Sequence, residues 1–204
     1  MIDDIRSKVS RILELLEKRE PKLRGGFPQR PFIIAIDGRC GAGKTTLATA
    51  LKNAIERRVP KPIIKIIHMD DFYPRPEQRT EDRYKTPGGN VDHERFKDEV
   101  LEKLLTNKAF SYRPFDCMSM KLLEPVSVEP SHVVIVEGSY CLHPELRDNY
   151  DLKVFLDIDS MEQRERILLR NGEEKLTQFI QRWIPLEELY FEHCAVRECA
   201  DITL

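Results

Sequence analysis

Residues 36–46, Ile-Asp-Gly-Arg-Cys-Gly-Ala-Gly-Lys-Thr-Thr, constrain this chain more than any other stretch. Gly38 to Thr45 satisfies G-x-x-x-x-G-K-[ST] at every fixed position. The physical demand behind that spacing is a run of backbone N–H groups turned inward around a phosphate chain. Glycines permit the close approach and the positive φ that this requires. Lys44 adds charge at the β- and γ-phosphates, the Thr45 hydroxyl is a ligand for Mg²⁺, and the following helix points its N-terminus at the anion. Context supports the motif. An apolar run, Phe32-Ile-Ile-Ala-Ile36, reads as a buried parallel strand before it. After it, Leu47, Leu51, Ala54 and Ile55 form the stripe of an amphipathic helix. The expected nucleotide cradle comprises Gly38, Arg39, Cys40, Gly41, Ala42, Gly43, Lys44, Thr45 and Thr46, with a nucleoside triphosphate, ATP or GTP, and Mg²⁺ as its ligands.

Further apolar runs read as strands over 62–69, 132–140 and 152–159, with a last short one at Asp201-Ile-Thr-Leu204. Helices are expected over 92–105, from Ser160 (with Gln163 in a capping box) towards Arg170, and from Lys175 with a break or restart at Pro185. Residues 70–90, dense in Pro, Arg and acids, read as a long functional loop. Residues 110–129 read as short strands or a hairpin. Strands alternating with helices behind a phosphate loop predict a three-layer α/β/α domain with a mostly parallel sheet, its ligands at the carboxyl ends of the strands. The division expected is an amphipathic helix over 1–20, a Pro/Gly-rich linker over 21–31 and one domain over 32–204. The first helix, with Ile5, Val9, Ile12, Leu13 and Leu16 at helical spacing, covers either its own sheet or a partner copy, so a homo-oligomer is one option.

Charge narrows the partners. A net charge of −2 over 204 residues lacks the basic excess usual for nucleic-acid and membrane-surface proteins, and no apolar run reaches the length of a membrane span. Five scattered cysteines without a C-x-x-C pair suggest reduced thiols and a cytoplasmic protein. Cys194, Cys199 and His193 make only a weak metal-ligand pattern. The strand ends themselves are acidic: Asp70-Asp71 after the second strand and Glu137 after the third. Asp70 directly follows its strand and is the candidate group for orienting, or taking the proton of, an attacking hydroxyl. Glu137, behind four apolar residues and before Gly138, is a candidate Mg²⁺ ligand, directly or through water.

The order GxxxxGKT, "MDDFY", "NVDHERF", "VVIVEGSY" and an Arg-rich helix resembles the uridine kinase and phosphoribulokinase group of P-loop kinases over residues 32 to 204. The resemblance implies ATP-dependent phosphorylation of a hydroxyl on a small metabolite, most readily a nucleoside such as uridine or cytidine. It puts the catalytic base at Asp70, which leaves Asp71 as its neighbour or as a ligand of Mg²⁺-bound water. It implies that Asp92 holds sugar hydroxyls of the acceptor, although an Asp at a helix start also serves as N-cap. Tyr73 and Tyr112 are candidates for stacking on a planar base, or for the core. Arg166 and Arg170, four apart on one helix face, are candidates to close over the phosphates; a solvated face balanced by Glu162 and Glu165 is the plainer alternative.

Two stretches depart from the family pattern. "SYRPFDCMSMKL" (111–122) keeps a tyrosine but lacks the His and Arg that hold the base in uridine-phosphorylating relatives. "RNGEEKLTQ" (170–178) is shorter and less basic than their lid. Pantothenate or a sugar phosphate is therefore an alternative acceptor. A nucleotide-dependent switch or a regulator without an acceptor is the alternative of another class.

Overall fold

The computed structural model describes residues 2–19 and 28–204. The linker expected over 21–31 therefore lies outside the described residues except for 28–31. Helix α1 (Ile2–Arg19) comes first, then strand β1 (Phe32–Gly38), helix α2 (Lys44–Arg58) and strand β2 (Ile64–His68). A 3₁₀ turn, Met69–Phe72, follows β2. The segment read as a loop carries a second such turn (Pro76–Gln78) and the short helix α3 (Glu81–Lys85). Helix α4 (His93–Phe96) runs through a wide turn (Lys97–Leu101) into α5 (Glu102–Leu104), so the expected helix is one rod with a local bulge. Strands β3 (Phe110–Tyr112), β4 (Phe115–Asp116), β5 (Lys121–Leu122) and β6 (Val126–Val128) make two antiparallel pairs, β3 with β6 and β4 with β5. Next come β7 (Val133–Glu137), β8 (Leu152–Leu156), α6 (Ser160–Asn171), α7 (Glu173–Gln178), α8 (Ile184–His193), α9 (Val196–Cys199) and β9 (Ile202–Thr203).

The main sheet has the order β2-β7-β1-β8-β9, and every pair in it is parallel. It is the predicted three-layer architecture. Strand β1 is buried along its whole length because it lies in the middle, and its side chains alternate between two cores. Ile33 and Ala35 face a cluster with Phe72, Phe96, Phe155 and Tyr190. Phe32, Ile34 and Ile36 face the other, with Leu47, Leu51 and Ile55 of α2. Helix α1 packs on α2 and adds Val9, Ile12, Leu13 and Leu16 to this second core. Each such side chain contributes about 1.5–3 kcal/mol when fully buried, so α1 is held by its own domain.

One local expectation needs correction. The N-cap of α6 is Asp159, whose carboxylate accepts the amides of Met161 and Glu162, rather than Ser160 in a capping box. A carboxylate one residue earlier reaches the free amides and carries the charge that a helix N-terminus favours. At Pro185 the helix restarts, one of the two outcomes expected: α7 runs into a wide turn, Phe179–Trp183, and the proline sits in the first turn of α8, where its fixed φ suits a helix start.

Candidate functional site

The site lies where β1, β2 and β7 end side by side. Parallel pairing sets the register: Ile36 lies opposite Glu137, and Glu137 opposite His68. The phosphate loop leaves β1 at Gly38, where a Cβ would lie 2.0 Å from the carbonyl oxygen of Leu156. Only glycine lets the loop pass this close to β8. Gly43 (φ 95°, ψ 29°) is the left-handed residue that turns the loop into α2. The chain thereby presents the start of a 15-residue helix, with the side chains of Lys44 and Thr45, to the mouth of the cleft.

Buried carboxylates brace this loop from behind. Asp37 is fully buried and accepts four hydrogen bonds: from the amides of Gly38 (2.7 Å), Tyr140 (3.2 Å) and Leu142 (2.8 Å) and from the Tyr190 hydroxyl (2.8 Å). Burial nonetheless pushes its pKa up to about 6. Glu187 of α8, also buried, accepts the Ser139 hydroxyl at 2.6 Å and the Cys40 amide at 3.0 Å. Arg39 is bound to Asp157 and Glu188 rather than turned into the cleft. Burial raises the Cys40 thiol, which accepts from the Gln163 amide, so it is no nucleophile.

In the cleft, Lys44 Nζ donates to the carbonyls of Gly38 (2.7 Å) and Arg39 (3.0 Å) and to Ser139 Oγ (3.1 Å). Thr45 Oγ1 donates to Glu137 Oε1 at 2.9 Å, and His68 Nδ1 lies 2.5 Å from the same oxygen. That contact with Glu137 raises the His68 pKa. A hydroxyl and a carboxylate together at a strand end, beside a loop of inward amides, form a donor set that fits Mg²⁺ and a nucleotide triphosphate. Among the described residues no group of three or more His, Cys, Asp and Glu is arranged to hold a metal ion, so Cys194, Cys199 and His193 do not form one.

Asp70 stands at the mouth, on the turn after β2. Its outer edge is open, but protein crowds its other sides, and desolvation raises its pKa above the usual carboxylate range. Tyr73 donates its hydroxyl to Asp70 Oδ1 at 3.2 Å. Asp71 turns the other way: its Oδ2 accepts the Tyr112 hydroxyl at 2.8 Å, while Tyr112 packs in the core against Phe72. Asp92 is the N-cap of α4, accepting from the Arg95 amide at 3.2 Å with Oδ1. Its Oδ2 is buried without a hydrogen-bond partner, with Arg75 Nε and Arg95 Nε near it at 3.6 and 3.5 Å.

Arg166 and Arg170 part company. Arg166 lies along the phosphate loop, donating to the carbonyls of Gly41 and Ala42 at 3.3 Å and pairing with Glu162. Arg170 is exposed and donates to its neighbour Asn171. Thr46 is exposed in the first turn of α2. His68, Ser139 and Glu187 were not singled out from the sequence. His68 could have been found by position, because it ends the same strand as Asp70. Ser139 and Glu187 have no local pattern that distinguishes them.

Comparison with known proteins agrees with this geometry. Residues 33–174 match the model of the Phosphoribulokinase / Uridine kinase family. A uridine kinase of Alkaliphilus metalliredigens is 33% identical over 166 residues, which cover 76% of each chain. A uridine kinase of Limosilactobacillus reuteri is 34% identical over 138 residues, 64% of this chain and 61% of that one, so the chain spans about three fifths of that relative's length. Among solved structures, one described as a possible uridine kinase from Bacillus stearothermophilus superposes with a TM-score of 0.71 at 19% identity, covering 98% of this chain and 99% of that one. A D-glycerate 3-kinase from Cryptococcus neoformans gives 0.55 at 16% identity, covering 91% and 87%. At such identities the two structures share the fold.

Proposed function

The chain belongs to the phosphoribulokinase/uridine kinase family, and on that premise we propose that it is an ATP-dependent phosphotransferase acting on a hydroxyl of a small metabolite. The observation that carries this is the meeting of Thr45, Glu137 and Asp70 at the ends of two adjacent strands beside Lys44. A switch needs the first two; an acid at the mouth, within the field of Lys44 and Glu137, serves an acceptor.

The residues divide the work. The amides of Gly41 and of Gly43 to Thr46 hold the phosphates, those of Gly38 to Cys40 and Ala42 being bonded within the protein, and Lys44 supplies charge at the transferred group. Thr45 and Glu137 hold Mg²⁺, which when bound neutralises phosphate charge and aligns the nucleotide. Asp70 orients the acceptor hydroxyl and takes its proton as the oxygen bonds to the γ-phosphorus and the bond to the departing ADP oxygen breaks. Its raised pKa brings it closer to that of a working base. Tyr73 fixes one oxygen of Asp70. Asp71, tied to Tyr112, supports the acceptor wall, and Asp92 offers its unpartnered oxygen to an acceptor hydroxyl. Arg166 lies where it stabilises charge on the transferred group. Arg170 reaches the phosphates only if it leaves Asn171. The domain division in this reading is α1 with 32–204 as one unit, and the setting is the cytoplasm.

The relatives' names favour uridine or cytidine as acceptor. The hairpin over 110–128, which lacks their base-holding His and Arg, favours a different one, such as a sugar phosphate or pantothenate. An ADP-release assay with ATP and Mg²⁺ against these acceptors tests the proposal, with Asp70→Asn beside the natural chain. The expected outcome is turnover that depends on one acceptor and falls on the order of 10³-fold in Asp70→Asn with nucleotide affinity unchanged. Acceptor-independent hydrolysis, or full activity in Asp70→Asn, would falsify it.

A further inference from the structure

The wall opposite the phosphate loop is rich in arginine, and one of its half-buried guanidinium groups is unlike the others; Arg113, which is exposed, donates only to the carbonyls of Leu122 and Leu123. Arg83 pairs with Glu94 at 2.7 Å. Arg75 has Glu77 at 3.4 Å and Asp92 at 3.6 Å. Arg95 has Glu99 at 3.3 Å and Asp92 at 3.5 Å. Arg79, half-buried, has no carboxylate partner among the described residues. Its guanidinium is nevertheless fixed. Nε donates to the carbonyl of Pro74 at 2.7 Å, Nη2 to the sulfur of Cys117 at 3.3 Å, and the group lies 5.5 Å over the Phe115 ring.

The position ties this cation to the reaction. Pro74 follows Tyr73, whose hydroxyl holds Asp70. Strand β4, which carries Phe115, packs on the turn that carries Asp70 and Asp71. Arg95 binds the two together by donating to the carbonyls of Asp71 and Arg113, each at 2.8 Å. The nearest acid in sequence on the hairpin, Asp116, is spent on the amides of Met118 and Ser119. A guanidinium has five N–H donors in a planar fork. Arg79 uses two of them on weak or neutral acceptors. A preformed, half-buried cation without a counter-ion matches a planar or tetrahedral oxyanion bound by two parallel bonds.

We infer that Arg79, with Phe115 and Cys117 fixing it, is the seat for an anionic group of the acceptor, a phosphate monoester or a carboxylate, so that the acceptor is a charged metabolite rather than a neutral nucleoside. The inference rests on the phosphotransferase reading and narrows it. Cys117 is exposed and touches Arg79, so an anion bound there shields the thiol from alkylation. This readout does not depend on turnover.

The test is the rate of iodoacetamide labelling at Cys117, resolved by mass spectrometry, in the full chain with saturating MgADP to occupy the phosphate loop. Inorganic phosphate, glycerol 3-phosphate and glycerate are titrated against chloride at matched ionic strength. The expected result is saturable protection by at least one oxyanion and none by chloride, unchanged in Asp70→Asn. Arg79→Gln should weaken the protecting anion's affinity about 10- to 100-fold, the range of a lost charged hydrogen-bond pair. Arg79→Lys, which keeps the charge and loses the fork, should fall between, and it decides the matter if the glutamine variant does not fold. Absence of protection, or protection that persists in both variants, overturns the inference. So does an ADP-release panel in which only neutral acceptors turn over, which would leave the phosphotransferase reading standing. Acceptor-independent hydrolysis together with saturable, Arg79-dependent protection would instead sink the phosphotransferase reading and keep the anion seat.

Discussion

The two walls of the cleft are built on different principles. The phosphate wall is a continuation of the parallel sheet: loop, strand ends and α2 are braced from within by buried carboxylates, Asp37 and Glu187, that accept backbone amides. The acceptor wall, made of residues 70–92 and the hairpin over 110–128, has almost no regular ladder. It is stitched by guanidinium groups donating to carbonyls: Arg79 to Pro74, Arg83 to Gly89 and Val91, Arg95 to Asp71 and Arg113, Arg113 to Leu122 and Leu123. Anions hold one wall and cations the other. The first arrangement keeps a cavity for phosphate lined with donors. The second leaves the shape of the acceptor site to individual side chains, which is where relatives on one fold can differ in substrate.

The sharpest way to break the comparison is to attack each wall separately. Lys44→Ala removes the ammonium group that the phosphate loop holds on the carbonyls of Gly38 and Arg39. Turnover (kcat/KM) should fall on the order of 10³-fold with nucleotide affinity reduced as well, because its charge acts in ground and transition states alike. Folding stability should hardly change, and thermal unfolding beside the kinetics checks this. A variant whose stability falls with its activity would show that Lys44 is part of the brace.

Arg95→Met makes the complementary cut. It removes the clamp between Asp71 and Arg113, strips the cation from the ring of Phe72 (4.2 Å) and leaves the buried Asp92 carboxylate with one distant partner. Breaking a buried ionic contact costs about 3–4 kcal/mol of stability. The loss should fall on the acceptor wall. Hydrogen exchange at 110–128 should rise and acceptor KM with it, while MgATP binding is retained. Equal loss of both ligands would mean that the walls are one cooperative unit.

Acid should also act on the acceptor wall first. His93 and His143 stack with ring centroids 3.8 Å apart, beneath α4 and the turn after β7. Burial lowers both, His143 to about 4; charge on either ring is opposed by Arg83 and favoured by Glu94 and Glu145, with His93 also opposing charge on His143 and Asp92 favouring it on His93. The unfolded chain binds protons to these histidines below about pH 6.5, whereas in the folded chain both resist protonation, His143 until about pH 4. Stability from His143 is therefore complete above pH 6.5 and lost as pH falls from there to 4, and His93 adds a loss of the same sign. For His143 alone the loss is at most about 3 kcal/mol. Urea midpoints of the natural chain and His143→Asn between pH 4 and 7 check the sign. The slope should flatten in the variant.

The same contrast explains what could be read from the sequence. Motifs that work through backbone conformation over a few consecutive residues, such as Gly38 to Thr45, or through burial period, such as β1 and β7, are written locally and were legible. So were the acids at strand ends, because a parallel sheet delivers such residues to one edge whatever the details. Tyr112 was weighed as a base-stacking residue or a core residue. Its burial against Phe72 and its bond to Asp71 depend on how a short hairpin folds back over a turn 40 residues earlier, which no local pattern encodes. Glu187 braces the phosphate loop from a helix near the end of the chain, and its sequence surroundings read as an ordinary amphipathic face. Arg79 stood out in neither spacing nor neighbours. It becomes conspicuous only when the carboxylates around the other arginines are known.

The smallest predicted effect concerns a cation–π tie between the acceptor wall and the helical segment that leads into α8. Arg182, in the wide turn between α7 and α8, lies 4.7 Å over the ring of Tyr84 in α3 and equally close to Trp183. Cation–π contacts at partly exposed sites contribute about 0.5–1 kcal/mol. Tyr84→Leu keeps the apolar bulk and removes the ring's field, so acceptor KM should rise about 2- to 5-fold with kcat and stability nearly unchanged. Arg182→Gln should do the same, and the double variant should be no worse than either, since both remove one contact. Additive losses would show that Arg182 acts through Trp183 instead.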